Sequence, residues 1–260
     1  MIFCLEGILW LFRFILGACI FSFLNAAALR LPKGESIARG RSHCPHCGKT
    51  LTVWELIPCA SYLALGRRCR GCKAPIPKRY FLAECTGGLA LVCCSARFGF
   101  GSWGLISLGG LLAFAYLCLL FLIALIDLDT RIIWDRFQIG IGLLGIAALR
   151  LFPEHPLKDR LIGMVIVSLP MLVLALLVEG AFGGGDIKLM AASGFLLGWK
   201  SIVTAMFFGL LAGGSMALLL MAGKKLGRRD QMAFGPYLAL GLSVALFFGD
   251  PIANWYLSIL

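Results

Sequence analysis

Charge is scarce in this 260-residue chain. Asp, Glu, Lys and Arg make up 14% of it, against 60% hydrophobic residues and a mean hydropathy of +0.92. A water-soluble domain carries about 25% charged residues, so this chain cannot cover its outside with polar groups. Disorder is excluded for the same reason. Histidine is scarcer still: His43, His46 and His155 are the only three, and none lies in a long apolar run. A His-Glu-x-x-His metalloprotease is therefore excluded, and Ser193, in Ala192-Ser193-Gly194, has no membrane His to act as its base. Alternating segments of about ten residues, which a membrane barrel needs, are missing, and an open sheet could not pair its edges in lipid.

What the chain has instead is apolar length. Candidate spans fall at about 2–29, 80–98, 103–126, 137–152, 161–179, 187–199, 201–222 and 236–256, the fourth and sixth short or interrupted by Gly. The expected fold is an all-α polytopic membrane protein of about eight transmembrane helices. Three stretches are expected: a first span at 1–29, a polar insertion at 30–79 and a membrane domain at 80–260. The insertion holds eleven Lys and Arg, Arg39 among them, against Glu35 and Glu55. By the positive-inside rule it is cytoplasmic and the amino terminus lies outside. Alternating from there puts 18 of the 24 Lys and Arg on the inner side. Arg97, Arg150, Lys158, Arg160 and Lys200 lie outside, and Arg13 sits within the first span. The net charge of +11 thus reflects topology. The expected partner is the lipid bilayer, and nucleic acid is not expected. Basic residues follow the first apolar stretch rather than precede it, so 2–29 reads as a retained span, not a cleaved signal.

Of 11 Cys, Cys4, Cys19, Cys85, Cys93, Cys94 and Cys118 fall in spans as small apolar residues. Four of the five in the insertion form two knuckles, Cys44-Pro45-His46-Cys47 and Cys69-Arg70-Gly71-Cys72, with 21 residues between. Paired knuckles at this separation suit a tetrahedral structural Zn²⁺. The competing reading, a disulfide pair, conflicts with the reducing cytoplasm. Cys59 is left over and reads as packed.

Carboxylates near hydrocarbon point to function. One cluster is Ile126-Asp127-Leu128-Asp129-Thr130-Arg131, where the third span ends, and the other is Gly183-Gly184-Gly185-Asp186-Ile187-Lys188 before the sixth. Both fall on the same predicted face. The glycines are expected to adopt positive φ and to let a substrate come close to the backbone. Two converging carboxylates cannot both ionise cheaply, so one holds a proton while the other acts as base. That equipment activates water against a peptide bond. Asp129, Asp135 and Asp230 read as caps or as partners of Arg131, Arg136 or Lys188, and Glu84 and Glu179 stay open between structure and function. Ser215, beside Gly213 and Gly214, reads as helix packing.

These residues resemble the bacterial type IV prepilin peptidases, a branch of the intramembrane aspartyl proteases with a G-x-G-D motif. Ser22-Phe23-Leu24-Asn25, Arg30-Leu31-Pro32, the two knuckles, Trp54-Glu55-Leu56-Ile57-Pro58, Ser61-Tyr62-Leu63, Lys78-Arg79-Tyr80 and Glu84 are similar to the family's first half. Asp127, Gly183-Gly184-Gly185-Asp186, Lys188 and Phe234-Gly235-Pro236-Tyr237 are similar to its second. Two positions depart from the pattern: Trp134 stands where the family usually has Pro, and Arg67 where it tends to have Gly.

The resemblance implies cleavage of the basic leader from prepilins or pseudopilins, which build type IV pili or type II secretion systems. It places the enzyme in the bacterial inner membrane, with catalytic Asp127 and Asp186 and the zinc insertion facing the cytoplasm. Gly183, Gly184, Gly185, Asp129 and Lys188 would form the active-site loop or touch substrate. Glu35, Glu55 and Asp129 are the acidic groups that suit a basic leader. The resemblance also implies N-methylation of the new amino terminus with S-adenosylmethionine. Two rival classes remain at this point, an ion-coupled transporter using buried carboxylates and a non-catalytic membrane-anchored zinc module.

Overall fold

The computed structural model describes residues 2–37, 41–100, 106–178, 180–223 and 232–259, with side chains from Glu6 onward. Arg39, Glu179, Asp230 and the Cys4 side chain lie outside the described residues. The regular elements are all helical: α1 Ile2–Arg30, α2 Ala60–Ala64, α3 Lys78–Phe98, α4 Leu108–Thr130, α5 Asp135–Leu151, α6 Leu157–Ile166, α7 Ser168–Leu177, α8 Gly184–Leu197, α9 Trp199–Ala222 and α10 Gly235–Leu257. Short 3-10 turns lie at Leu31–Lys33 and Val53–Leu56.

Each apolar run contains a helix. Six stretches among the described residues are long and apolar enough to cross a membrane: Glu6–Lys33, Lys78–Phe98, Leu108–Thr130, Leu157–Leu177, Trp199–Ala222 and Gly235–Leu257. The fourth and sixth runs, α5 and α8, are 17 and 14 residues. At about 1.5 Å per residue α8 covers roughly 21 Å, short of the roughly 30 Å of hydrocarbon. The fifth run breaks at Val167 into α6 and α7, because Pro170 has no N–H for the carbonyl of Ile166.

The chain forms two compact units, Met1–Phe114 and Ala115–Leu260. In the first, α1 packs on α3 through glycines. A Cβ on Gly17 would collide with the Gly87 carbonyl, and one on Gly87 with the Gly17 carbonyl. Close backbone approach of this kind replaces the hydrophobic effect as the packing force in lipid. Arg13, 4% exposed within α1, has its guanidinium 4.5 Å and 4.4 Å from the ring centres of Trp10 and Phe100. Glu84 of α3 accepts the Ser22 hydroxyl of α1 at 2.9 Å and the Cys59 N–H of the insertion at 2.6 Å. One buried carboxylate thus joins two helices and the insertion.

In the second unit, Gly163 of α6 meets Gly194 of α8, and Gly241 of α10 meets Ala205 and Gly209 of α9, at the same close range. Arg160, counted by topology as an outer charge, is 0% exposed. Its guanidinium donates to the carbonyls of Ala148, Phe152, His155, Phe195 and Leu196. These are the carboxyl-terminal ends of α5 and α8 and the turn after α5, where helices leave carbonyls without partners. Beside it, His155 Nε2 lies 3.2 Å from Asp250 Oδ2, and the Ser201 hydroxyl donates to Asp250 Oδ1 at 3.0 Å.

Removing the guanidinium strands several buried carbonyls at once. Arg160→Ala is expected to destabilise the fold by about 3 kcal/mol or more, read as a fall in unfolding temperature in detergent. An unchanged temperature would contradict the role.

The Asp250 hydrogen bond raises the His155 pKa above its ordinary 6.5, with burial and the charge of Arg160 opposing and Glu154 assisting. A raised folded-state value adds stability below pH 6.5 that is lost as pH rises through the folded pKa. His155→Gln is therefore expected to flatten the unfolding temperature against pH on the alkaline side of 6.5. An unaltered slope would show that the pair contributes nothing.

Candidate functional site

α4 does not end at residue 126, where the apolar run ends. The Thr130 hydroxyl donates to the Ile126 carbonyl at 2.8 Å, and Arg131, at φ 58, closes the helix in the left-handed region. Asp127 therefore sits in the last turn of α4, 5% exposed. Its Oδ2 accepts the Gly235 N–H at the start of α10, at 2.9 Å. A Cβ on Gly235 would lie 2.8 Å from that oxygen, so only glycine allows the approach.

Asp186 is the third residue of α8 and 9% exposed. Its Oδ2 accepts the Gly183 N–H at 3.2 Å, while its own N–H donates to the Gly183 carbonyl at 3.0 Å. This is the backbone pairing of a helix start with an acidic third residue. The expectation of positive φ at the triple glycine is not met, since Gly183 has φ −74 and neither Gly184 nor Gly185 is left-handed. The reason for glycine is space. A Cβ on Gly185 would stand 2.8 Å from Ile133 Cβ, and one on Gly183 would stand 3.1 Å from Asp186 Oδ2. Gly183 and Gly184 are exposed, leaving bare backbone beside the carboxylate.

The two carboxylates, 59 residues apart in sequence, are close enough for their charges to repel. Lys188 pairs with Asp135 at 2.9 Å and 3.0 Å, tying α8 to the start of α5, so Asp135 is the ion-pair partner expected of it. Asp129 is exposed two residues beyond Asp127, about 200° further round the helix. Trp134 adopts φ −79, close to the angle a proline would impose, and Arg136 stacks 3.9 Å over its ring. The loop thus has the shape that the family's proline would give it.

Three site residues were not assigned a role from sequence. Gly235 lay in a motif already singled out, but its partner is 108 residues away. Gln138, the one amide in its apolar run, donates to the Gly185 carbonyl at 2.9 Å and fixes the glycine loop. Glu84, left open, is the knot of the first unit.

In the insertion, the thiols of Cys44, Cys47, Cys69 and Cys72 all lie within 4.8 Å of one another, so the cluster could hold a metal ion. The knuckles share one build. Cys44 N–H donates to Lys49 O and Cys69 N–H to Ala74 O, at 2.9 Å and 2.8 Å. The fourth residue after each first Cys, Gly48 or Lys73, is left-handed at φ 69 or 60. Four thiols in this space fit the donor set of a structural Zn²⁺. Cys59, outside the cluster, packs its sulfur 3.6 Å from that of Cys85.

Glu55 faces inward with a side chain 4% exposed, bound by Thr52 and Lys49. The Thr52 N–H and hydroxyl, then Lys49, hold its carboxyl down at about 2. It is thus committed locally. Arg67 has φ 63, a left-handed position that explains a glycine there in the family. Its side chain is exposed.

The family model described as Bacterial Peptidase A24 N-terminal domain matches residues 15–98, and that of the Type IV leader peptidase family matches residues 114–218. A protein of Bacillus subtilis (strain 168) named Prepilin leader peptidase/N-methyltransferase is 35% identical over 253 residues, 97% of this chain and 98% of its own. The chain belongs to the type IV leader peptidase family. Proteins of the same name from Aeromonas hydrophila and Pseudomonas aeruginosa are each 32% identical to it, covering 97% and 94% of this chain and 96% and 91% of their own. No solved structure matches it.

Replacing Cys44 and Cys47 by Ser is expected to remove one zinc per chain, measured by metal analysis of protein purified without chelator. Wild-type protein that carries no zinc would overturn the assignment.

Proposed function

We propose that this leader peptidase family member cleaves the basic leader from prepilins or pseudopilins and then N-methylates the exposed amino terminus. Asp127 and Asp186 are its catalytic pair. The observation that carries the reading is the pairing of these carboxylates. Both are buried at helix ends, each accepts a backbone N–H, and the charge of Asp127 bears on Asp186.

The chemistry follows from the arrangement. One carboxyl, holding a proton, donates it to the scissile carbonyl oxygen. The other takes a proton from water as the water oxygen attacks the carbonyl carbon. That second proton then passes to the leaving nitrogen as the C–N bond breaks, while the first carboxylate takes back a proton from a hydroxyl of the tetrahedral intermediate as its carbonyl reforms. The Gly235 N–H fixes Asp127 Oδ2 and leaves Oδ1 for the reaction. Gly183 and Gly184 give an extended substrate room beside Asp186, Gly185 lets the loop pack against Ile133, and Lys188 holds that loop through Asp135. With Glu55 committed to Thr52 and Lys49, the exposed Glu35 and Asp129 are the acidic groups that suit the basic leader.

We place the enzyme in the bacterial inner membrane with the insertion and both Asp residues facing the cytoplasm, because the insertion is rich in Lys and Arg. The peptidase occupies the membrane domain at 80–260. Zinc, held by Cys44, Cys47, Cys69 and Cys72, staples an insertion too small to hold a core of its own.

Methyl transfer belongs to the first unit. A cavity of about 300 Å³ there is lined by Ser22, Arg30, Glu55, Tyr62, Tyr80 and Glu84, among others, and Arg67 is not in its wall. The aromatic rings of Tyr62 and Tyr80 and the carboxylate of Glu84 fit a sulfonium, so these residues would hold S-adenosylmethionine. When bound, the cofactor supplies an electrophilic methyl group. The α-amine that receives it has a pKa near 8 and is partly neutral in the cytoplasm.

The test incubates purified protein with a prepilin and reads the product by gel shift and mass spectrometry. Asp127→Asn and Asp186→Asn should each lower cleavage by about 10³-fold or more, and Gly235→Ala by about tenfold, with unfolding temperatures little changed. Asp129→Asn should lose activity only in part. An Asn variant at 127 or 186 with wild-type turnover removes that residue from the pair. A cleaved product whose amino terminus stays unmethylated, with cofactor supplied, leaves a peptidase alone.

A further inference from the structure

The insertion exposes apolar side chains where a solvated module would bury them. Val53 and Trp54 are 78% and 77% exposed, Leu63 is 60%, Leu56 46% and Ile57 38%. All five belong to the short stretch that holds the Val53–Leu56 turn and α2. Its one acid, Glu55, is turned inward, so the outward side is left apolar. Soluble surfaces seldom collect such residues without a partner.

The depth of this stretch identifies the partner. Tyr62 stacks on Phe81 of α3 with ring centres 5.0 Å apart. Cys59 donates its N–H to Glu84, and its sulfur rests against that of Cys85. These contacts hold Cys59 at φ 60, a strained value for a residue with a side chain. Phe81, Glu84 and Cys85 lie three to seven residues into α3, about 5–10 Å past its start, and α3 is long and apolar enough to cross a membrane. The stretch therefore runs beside the first two turns of a membrane span. Lipid headgroups and the upper acyl chains occupy that level, where Trp is favoured. Charge agrees: Arg67, Arg68, Arg70, Lys73 and Lys78 follow, all exposed. They attract anionic headgroups and repel a basic peptide.

We propose that residues 53–64 form an interfacial anchor, with Trp54 and Leu63 seated among the headgroups and upper acyl chains of an anionic lipid leaflet. The insertion is then held to the bilayer at a third point, besides the end of α1 and the start of α3. Tyr62, which lines the 300 Å³ cavity, is stacked on α3 beside this anchor, so the cavity stands at a fixed height over the membrane.

Photo-crosslinking of the full-length chain in nanodiscs of phosphatidylethanolamine and phosphatidylglycerol tests this. p-Benzoylphenylalanine replaces Trp54 in one variant and Leu63 in a second. A reference variant carries it in place of Leu89, 57% exposed on α3. After irradiation with prepilin present, intact-mass spectrometry is expected to show phospholipid adducts at 54 or 63, in yields within about threefold of the reference. Adducts with prepilin or with a second copy of the chain in place of lipid overturn the proposal. So does the absence of adducts at both positions while the reference is labelled. The readout does not depend on cleavage, so it stands or falls apart from the peptidase assignment.

Discussion

A charge set close to hydrocarbon has no water to answer it, so the chain must supply the answer from its own groups. The packing inside each unit follows from how this is done. Arg13 is answered by two aromatic faces, Glu84 by a hydroxyl and a backbone N–H, and Arg160 by five carbonyls. Each answer brings together segments distant in sequence. The polar groups, few as they are, therefore specify tertiary structure that glycine-to-glycine packing alone would leave loosely determined.

Asp127 and Asp186 follow the same rule with one difference. Each receives a single backbone donor, from Gly235 and Gly183. A carboxylate meant only to be stable would gather more donors, as Glu55 does from Thr52 and Lys49. The pair is held in place and left chemically unfinished, which is what a reacting group requires. The glycines around it serve this economy. They let backbone N–H groups come near without side chains filling the space where substrate and water must enter.

Much of this was legible in the sequence. The apolar runs marked the helices, because a bilayer demands long uninterrupted segments. The paired Cys spacing marked a cluster that the structure brings within 4.8 Å. Helix ends were less legible. Asp127 read as the first residue of a loop, yet it is helical, because Thr130 and Arg131 terminate the helix three residues later through hydrogen bonding and a left-handed turn. The triple glycine suggested backbone freedom where the structure uses lack of bulk, a distinction that depends on Ile133. Gly235 could not be assigned, since nothing local to a glycine records that its N–H meets a carboxylate 108 residues earlier. Arg160 and Lys200 looked alike as outer cations. One is fully buried against carbonyls and the other bonds the exposed amide of Asn254.

Arg160 also bears on how the chain is made. Ala148, Phe152 and His155 precede it and leave the ribosome first, whereas Phe195 and Leu196 follow 35 and 36 residues later. During synthesis the guanidinium can be satisfied in two stages. The hairpin of α5 and α6 contains three of its acceptors. α8 then completes the set. The short, polar-ended α8 thus meets a cation at its carboxyl-terminal end that the earlier hairpin already carries.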